Sequence, residues 1–146
     1  MALSGSCSTA TRRQIALHRQ TNPAFEIAAS DVITGVLAPQ TVTDWLLQAE
    51  GVPLAYSSAD PDAVAAVQAR FGSEQSAEAL EAFFATLAQQ LVSAGVGKIL
   101  TAGGETSGAI VEGLQLSRLE IGPEIDPGVP ALRGGDALVI ALKSGN

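Results

Sequence analysis

The chain has 146 residues, of which 47% are hydrophobic and 16% charged, which is typical of one globular domain and excludes an intrinsically disordered chain. A formal net charge of −7 disfavours nucleic acid and anionic membrane surfaces as partners, and no apolar run approaches the roughly 18 residues of a membrane span. The single cysteine excludes an internal disulfide, so we expect a soluble cytoplasmic protein that binds neither nucleic acid nor membrane.

The N-terminal segment predicts a strand, a polar turn and a helix. Residues 1–6 form a short apolar strand, and the helix extends from about residue 9 to Gln20. Ser6 and Ser8 lie in the turn, where hydroxyl groups either hydrogen-bond a ligand or cap the helix, and the residues leave both roles open. Cys7 is expected to be an inert small residue and His18 a solvated surface residue.

The next segment predicts further strands and helices. A weak strand at Phe25–Ala29 and a loop at Asp31–Gln40 precede a short helix that begins at Thr41. That helix carries an apolar stripe at helical spacing, formed by Val42, Trp45, Leu46 and Ala49. We therefore expect the tryptophan to belong to the core, and a buried strand is predicted at Val52–Ser57.

Two more helices are predicted after that strand. Asp60 is suited to the N-cap of the first helix and Pro61 to its first position. Gly72 and Ser73 interrupt the helical pattern, and a long amphipathic helix then extends from about residue 74 to 94.

Residues 98–113 carry the strongest indication of ligand binding. An apolar strand leads through Gly103 and Gly104 into a helix whose first turn contains Glu105 and Thr106. This geometry presents backbone N–H groups and the positive end of a helix dipole to an anion. The spacing is neither that of a Walker A loop nor GxGxxG, and the alternative is a glycine turn between a core strand and its helix.

The C-terminal part predicts two strands around an irregular segment. A strand is expected at Arg118–Ile121, and Gly122–Pro130 is expected to be rigid and irregular because it is rich in proline and glycine. Ala137–Leu142 is a continuous apolar strand, predicted to be buried on both faces, and it leads into Lys143–Asn146. Since the chain begins and ends beside core strands, we expect a module of a longer protein.

The order of these elements predicts a single α/β domain with a mainly parallel sheet flanked by helices. Ligands bind such sheets beyond the carboxyl ends of the strands. Four polar groups would meet there, namely Ser4–Ser8, Ser57–Asp60, Gly103–Ser107 and Lys143–Asn146. These groups suit phosphate or carboxylate oxygens but lack the residues of a self-contained catalytic site, so we expect a phosphorylated or nucleotide ligand.

Four motifs resemble those of the C-terminal nucleotide-binding domain of the four-carbon acid sugar kinase family, which includes 3-oxo-tetronate and threonate kinases. In chain order they are GSCS (Gly5–Ser8), AGGETSGA (Ala102–Ala109), IGPEIDPGVP (Ile121–Pro130) and LKSGN (Leu142–Asn146). The resemblance covers essentially the whole chain. It implies half of a two-domain α/β enzyme that transfers the γ-phosphate of ATP to a four-carbon sugar acid. It also implies ATP contacts from Ser6, Ser8, Gly103, Gly104, Glu105, Thr106, Lys143 and Gly145.

The N-terminal domain of that family carries the substrate-binding and base residues, and these 146 residues lack a counterpart of it. We therefore predict that the chain binds ATP or ADP without turning over a sugar acid. Mg²⁺ is expected with the nucleotide, and Glu105, Glu124 and Asp126 are candidate ligands, although the last two are equally suited to shaping a turn.

The alternative is a non-catalytic module that binds a small anion or a partner protein. The sequence is also compatible with a homodimer. Glu105→Ala and Lys143→Ala distinguish these functions, because we expect both substitutions to weaken nucleotide binding only in a kinase domain. The effect of Glu105→Ala should depend on Mg²⁺.

Overall fold

The structure, a computed structural model, describes residues 1–145, and Asn146 lies outside them. The strands are β1 (Ala2–Ser4), β2 (Ala24–Glu26), β3 (Leu54–Tyr56), β4 (Lys98–Ala102), β5 (Glu120–Asp126), β6 (Val129–Gly134) and β7 (Leu138–Lys143). The helices are α1 (Thr9–His18), α2 (Ala29–Ile33), α3 (Pro39–Gln48), α4 (Pro61–Phe71), α5 (Ser73–Ser93) and α6 (Gly104–Gly113).

These strands form one seven-stranded sheet with the order β2-β3-β1-β4-β7-β6-β5. The first five strands in this order are parallel, and β6 and β5 complete one side of the sheet as an antiparallel hairpin. The predicted fold class, a single α/β domain with a mainly parallel sheet flanked by helices, is therefore confirmed.

Helices cover both faces of the sheet because successive side chains of each strand point to opposite faces. On one face, Leu3 of β1 and Ile140 of β7 join a core cluster with Phe84 and Leu87 of α5. On the other face, Ile15 of α1 packs with alternate side chains of β3. No helix within residues 1–145 is long and apolar enough to cross a membrane.

The predicted helix that carries Trp45 is present, and its stripe faces the core as expected. Val42 and Leu46 are fully buried. Trp45 is half-buried and packs edge-on against Phe25, with ring centroids 5.4 Å apart. Its contacts are those of a core residue.

The predicted break between the two following helices is also present. Gly72 has a φ of 90°, which an L side chain rarely adopts, and it separates α4 from α5. Pro61 takes the first position of α4 and Asp60 its N-cap, as predicted. The Asp60 carboxylate does not cap the helix and instead pairs with Arg12 of α1.

Two segments that were predicted to be irregular contain regular secondary structure. The predicted loop at Asp31–Gln40 contains the end of α2 and the start of α3. The predicted irregular segment Gly122–Pro130 forms most of a β-hairpin. Strand β7 has buried residues on both faces, as predicted, with Leu138 and Ile140 on one face and Ala141 on the other, where Val139 is half-buried.

The hairpin forms because its turn has suitable residues. Pro127 and Gly128 lie between β5 and β6, and Gly128 has a φ of 76°, as a glycine at the third position of a tight turn requires. Pro123 is tolerated because β5 is an edge strand, where a missing backbone donor leaves no partner unpaired. All seven residues of β5 are exposed.

Candidate functional site

The carboxyl ends of four neighbouring strands bring the predicted polar groups together. Strands β3, β1, β4 and β7 are adjacent and parallel, so the residues that follow them lie along one edge of the sheet. Backbone hydrogen bonds connect these ends: Gly5 N donates to Ala102 O at 3.0 Å, and Gly103 N donates to Lys143 O at 3.0 Å. Asn146 of the last predicted group lies outside the described residues.

The turn between β1 and α1 is held by its own serines. Ser8 is the N-cap of α1, and its Oγ accepts a hydrogen bond from Thr11 N at 3.1 Å. The Ser8 hydroxyl also donates to the Gly145 carbonyl oxygen, to which Thr11 Oγ1 donates at 3.1 Å. Ser6 Oγ accepts from Ser8 N at 3.3 Å. Of the two roles left open for Ser8, the structure places it in the capping role.

The turn between β4 and α6 differs, because no side chain from residues 1–145 caps this helix. The N–H groups of the first turn of an α-helix have no intrahelical partner, so without a cap they are left for water or a ligand. Gly103 precedes the helix with a φ of 116°, and a Cβ there would lie 3.1 Å from Ser6 N. A Cβ on Gly104, in contrast, would meet no atom within 4 Å. The chain thus leaves open space beside Gly104 in the first turn of an uncapped helix.

Thr106 and Glu105 occupy different environments within the first turn of α6. Thr106 is buried, and a Cβ on Gly5 would overlap its Oγ1, so the two glycine turns pack directly against each other. Glu105 is exposed. Farther along the helix, the buried Ser107 Oγ lies 2.6 Å from Thr101 Oγ1, which ties α6 to β4.

Lys143 and Gly145 extend the site at the end of β7. Lys143 pairs with Ala102 across the sheet, next to the start of the glycine turn. Its Nζ donates to the Ser144 carbonyl oxygen at 2.7 Å. A Cβ on Gly145 would lie 2.8 Å from Ser6 Oγ, so a larger residue there would require the Ser6 hydroxyl to move. The structure therefore brings all eight sequence-predicted site residues to one edge.

The two other acidic candidates lie near the tip of the hairpin. Ala131 of β6 is opposite Ala141 of β7, so the hairpin turn is at the same end of the sheet as Lys143. Glu124 Oε1 accepts a hydrogen bond from Gly128 N at 3.3 Å, which is the turn-shaping role. Strand β5 is three places from β4 in the sheet order, so Glu124 and Asp126 are remote from the β4–α6 turn.

Glu105 is the remaining candidate for a metal contact. No group of three or more His, Cys, Asp or Glu residues within residues 1–145 is arranged to hold a metal ion. Mg²⁺ that accompanies a nucleotide is typically held by one or two carboxylates together with phosphate oxygens. The exposed Glu105 beside the uncapped helix end fits that arrangement.

A cavity of about 370 Å³ adjoins the glycine turns and was not predicted from the sequence. It lies between the ends of β1, β2 and β3 and the helices α4 and α5. Its lining includes Gly5 of the β1–α1 turn and Glu105 of the β4–α6 turn. It also includes Glu26, the last residue of β2, and Ser57, the first residue after β3. Glu26 was not predicted from the sequence as a residue of this edge, although its place at the end of β2 could have identified it as one.

Tyr56 fixes the position of Glu26 at this edge. Its hydroxyl donates to Glu26 Oε2 at 3.0 Å, and the Arg19 guanidinium lies 5.5 Å from the ring centroid. Burial, and then the hydrogen bond and charge of Glu26, raise the pKa of the Tyr56 phenol above its ordinary value of 10.0.

Comparisons with known proteins agree with this geometry. The sequence matches the protein family described as nucleotide-binding C-terminal domain over residues 1–146. It is 41% identical over 148 residues to a 3-oxo-tetronate kinase of Brucella melitensis, covering 99% of this chain and 34% of that protein. It is 43% identical over 150 residues to a 3-oxo-tetronate kinase of Burkholderia multivorans, again covering 99% of this chain and 34% of that protein.

A solved structure has the same fold. The crystal structure of a Haemophilus influenzae protein of the DUF1537 family superimposes with a TM-score of 0.94 at 37% identity, covering 100% of this chain and 36% of that one. The chain therefore spans about a third of the length of the relatives that it matches.

Proposed function

Because the chain belongs to the four-carbon acid sugar kinase family, as its nucleotide-binding C-terminal domain, we propose that it holds the ATP of a kinase that phosphorylates a four-carbon sugar acid. The observation that carries this proposal is the uncapped N-terminus of α6 with open space beside Gly104. Backbone N–H groups at such a position bind phosphate oxygens, and the helix dipole favours their negative charge.

Each predicted contact has a defined place in this proposal. The Gly103–Gly104 turn and the first-turn N–H groups at Glu105 and Thr106 receive the phosphates. Lys143 supplies a positive charge at the end of β7, and Gly145 and the serines of the β1–α1 turn form the adjoining wall. Since the overall charge of the chain is −7, phosphate binding depends on these local groups and not on the long-range field.

Glu105 is assigned to the Mg²⁺ that accompanies ATP. The nucleotide supplies a transferable γ-phosphoryl group, whose transfer requires a metal ion and an oriented acceptor hydroxyl. The residues of this chain position the phosphates. The acceptor, a four-carbon sugar acid, is assigned to a separate N-terminal domain, so the 146-residue chain binds nucleotide without turnover.

A thermal-shift titration of the chain with ATP, ADP and AMP, each with and without Mg²⁺, tests this function. A ligand that binds only the folded state raises the melting temperature by mass action. We expect ATP and ADP to give larger shifts than AMP, and Mg²⁺ to strengthen ATP binding. Turnover of a sugar acid by the chain alone would contradict the assignment of the acceptor to another domain.

Two alanine substitutions in α6 locate the phosphates. Gly104 and Gly108 are both exposed, and a Cβ on either would meet no protein atom within 4 Å, so both variants should fold. Gly104→Ala places a methyl group where the phosphates bind and should weaken ATP binding by about tenfold or more, which is at least ~1.4 kcal/mol. Gly108→Ala is the matched control, one turn farther along the helix. An ATP affinity of Gly104→Ala equal to that of wild-type protein would contradict a phosphate site at Gly104.

A further inference from the structure

The cavity between the strand ends and helices α4 and α5 is suited to a small organic group. Its volume of about 370 Å³ lies within the range of roughly 300–1,000 Å³ that small-molecule sites occupy. Ile27, Val64, Val67 and Leu80 provide much of its lining, so its walls are largely apolar. Planar and aliphatic groups are bound by such walls through removal of apolar surface from water.

A buried hydroxyl in the lining lacks a partner. Ser57 is 8% exposed, and its Oγ has no hydrogen-bond partner among residues 1–145. Leaving a buried donor or acceptor unpaired is unfavourable, and native structures rarely do so without a reason. A polar atom of a bound ligand would satisfy this hydroxyl.

The charged groups of the lining restrict the class of ligand. Glu26 and Glu105 both line the cavity, and none of its described lining residues is a lysine, arginine or histidine. The carboxylate of a sugar acid would be repelled here. Hydroxyl and amino groups of an uncharged ligand would instead donate to these carboxylates, as a ribose does to the acidic residue of a dinucleotide-binding fold.

The cavity also begins where the phosphates are placed. Gly5 and Glu105 line it, and Glu105 directly follows Gly104 in the first turn of α6. We propose that this cavity binds the nucleoside part of ATP, with the base against the apolar wall of α4 and α5 and the ribose between that wall and the β4–α6 turn. The inference rests on the proposed function, because the phosphates at the β4–α6 turn fix which end of the nucleotide enters the cavity.

Two tryptophan substitutions on α4 test the nucleoside site. Ala63 lines the cavity, whereas Ala66 is outside its lining, and both residues are exposed on the same helix. Ala63→Trp should fill the cavity and weaken Mg²⁺–ATP binding by at least about tenfold relative to Ala66→Trp, as measured by calorimetric titration of the 146-residue chain. Magnesium tripolyphosphate, which has phosphates but no nucleoside, should bind both variants equally.

The outcomes separate the two proposals. If wild-type protein binds neither ATP nor tripolyphosphate, the proposed function fails, and the nucleoside site fails with it. If ATP binds wild-type protein and both tryptophan variants equally, the phosphate site stands and the nucleoside site is overturned. A parallel loss of ATP and tripolyphosphate in Ala63→Trp would also overturn it, because the substitution would then act on the phosphates.

A second pair of variants avoids large side chains. Ser57→Ala removes the unpaired hydroxyl, so it should leave the unfolding free energy unchanged or higher and weaken ATP but not tripolyphosphate. Ser58→Ala removes a hydroxyl that lies 3.1 Å from Ser4 Oγ and is outside the cavity lining, so it should lower stability without changing ATP affinity. Unchanged ATP affinity in Ser57→Ala would contradict a ligand contact at this hydroxyl.

An open groove along α6 is the competing location. It is lined by Gly108, Val111 and Leu142 and adjoins Gly104 from the other side. If the nucleoside lies there, Gly108→Leu should weaken ATP binding while Ala63→Trp does not, and that result would overturn the assignment to the cavity.

Discussion

The turns before α1 and α6 have the same architecture, a strand followed by a glycine turn and a helix, but they satisfy their helix ends differently. In the first, Ser8 caps α1 and also donates to the Gly145 carbonyl oxygen. In the second, Gly103 occupies the cap position, and no side chain of the described residues reaches the N–H groups of α6. A serine at the cap uses the helix end to hold the protein together, whereas a glycine leaves that end available to a ligand.

The largest effect is expected from Gly103→Ala, which tests whether the open turn depends on glycine. At a φ of 116°, with Ser6 N only 3.1 Å from the position of a Cβ, alanine would be strained and crowded. Strained backbone of this kind costs about 1–3 kcal/mol, so the free energy of unfolding in urea should fall by that amount. Gly104→Ala is the control within the same turn, because its Cβ has room. A comparable loss in both variants would mean that the turn does not require the conformation at Gly103.

A smaller effect is expected from Ser8→Ala, which tests the closed turn. The substitution removes the cap of α1 and a contact with Gly145, so it should lower the free energy of unfolding by about 1 kcal/mol, the usual cost of losing an N-cap. Thr9→Ala, at an exposed position next in the chain, should have little effect. If Ser8→Ala is as stable as Thr9→Ala, the Ser8 cap does not stabilise the β1–α1 turn.

The convergence of the two turns could be predicted from the sequence because it follows from the topology of parallel sheets. Polar residues after Ser4, Tyr56, Ala102 and Lys143 must lie at the same edge if their strands are parallel and adjacent. The division of roles between Ser8 and Gly103 could not be predicted. The hydrogen bond from Ser8 to Gly145 depends on the approach of residue 145, which is distant in sequence, to the β1–α1 turn.

Two features were not predicted from the sequence, namely the cavity and the β-hairpin. The cavity exists because α4 and α5 stand away from the strand ends, which no local pattern encodes. The hairpin, in contrast, had a local signal, since Pro127 and Gly128 are suited to a tight turn between two strands. That signal was outweighed by the prolines on either side. Pro123 is tolerated in the edge strand β5, and Pro130 precedes the first residue of β6 that pairs with β7.

The smallest effect on stability is expected at the end of β3. No glycine turn follows this strand, and its last residue, Tyr56, is hydrogen-bonded to Glu26. Because folding raises the pKa of Tyr56 above 10.0, its contribution to stability is present below that pH and is lost as the pH rises through the pKa of the folded protein. Tyr56→Phe should therefore show a shallower loss of stability at alkaline pH than wild-type protein.

The phenolate absorbance isolates this group, since the chain contains one tyrosine. Burial is the first cause of the raised pKa, so Glu26→Gln should lower the pKa of Tyr56 only part of the way toward 10.0. If the pKa of Tyr56 returned fully to 10.0 in this variant, the Glu26 carboxylate alone would account for the raised pKa. Neither Gly104→Ala nor Ser8→Ala should move this titration, because burial, Glu26 and Arg19 are the causes that act on the pKa of Tyr56.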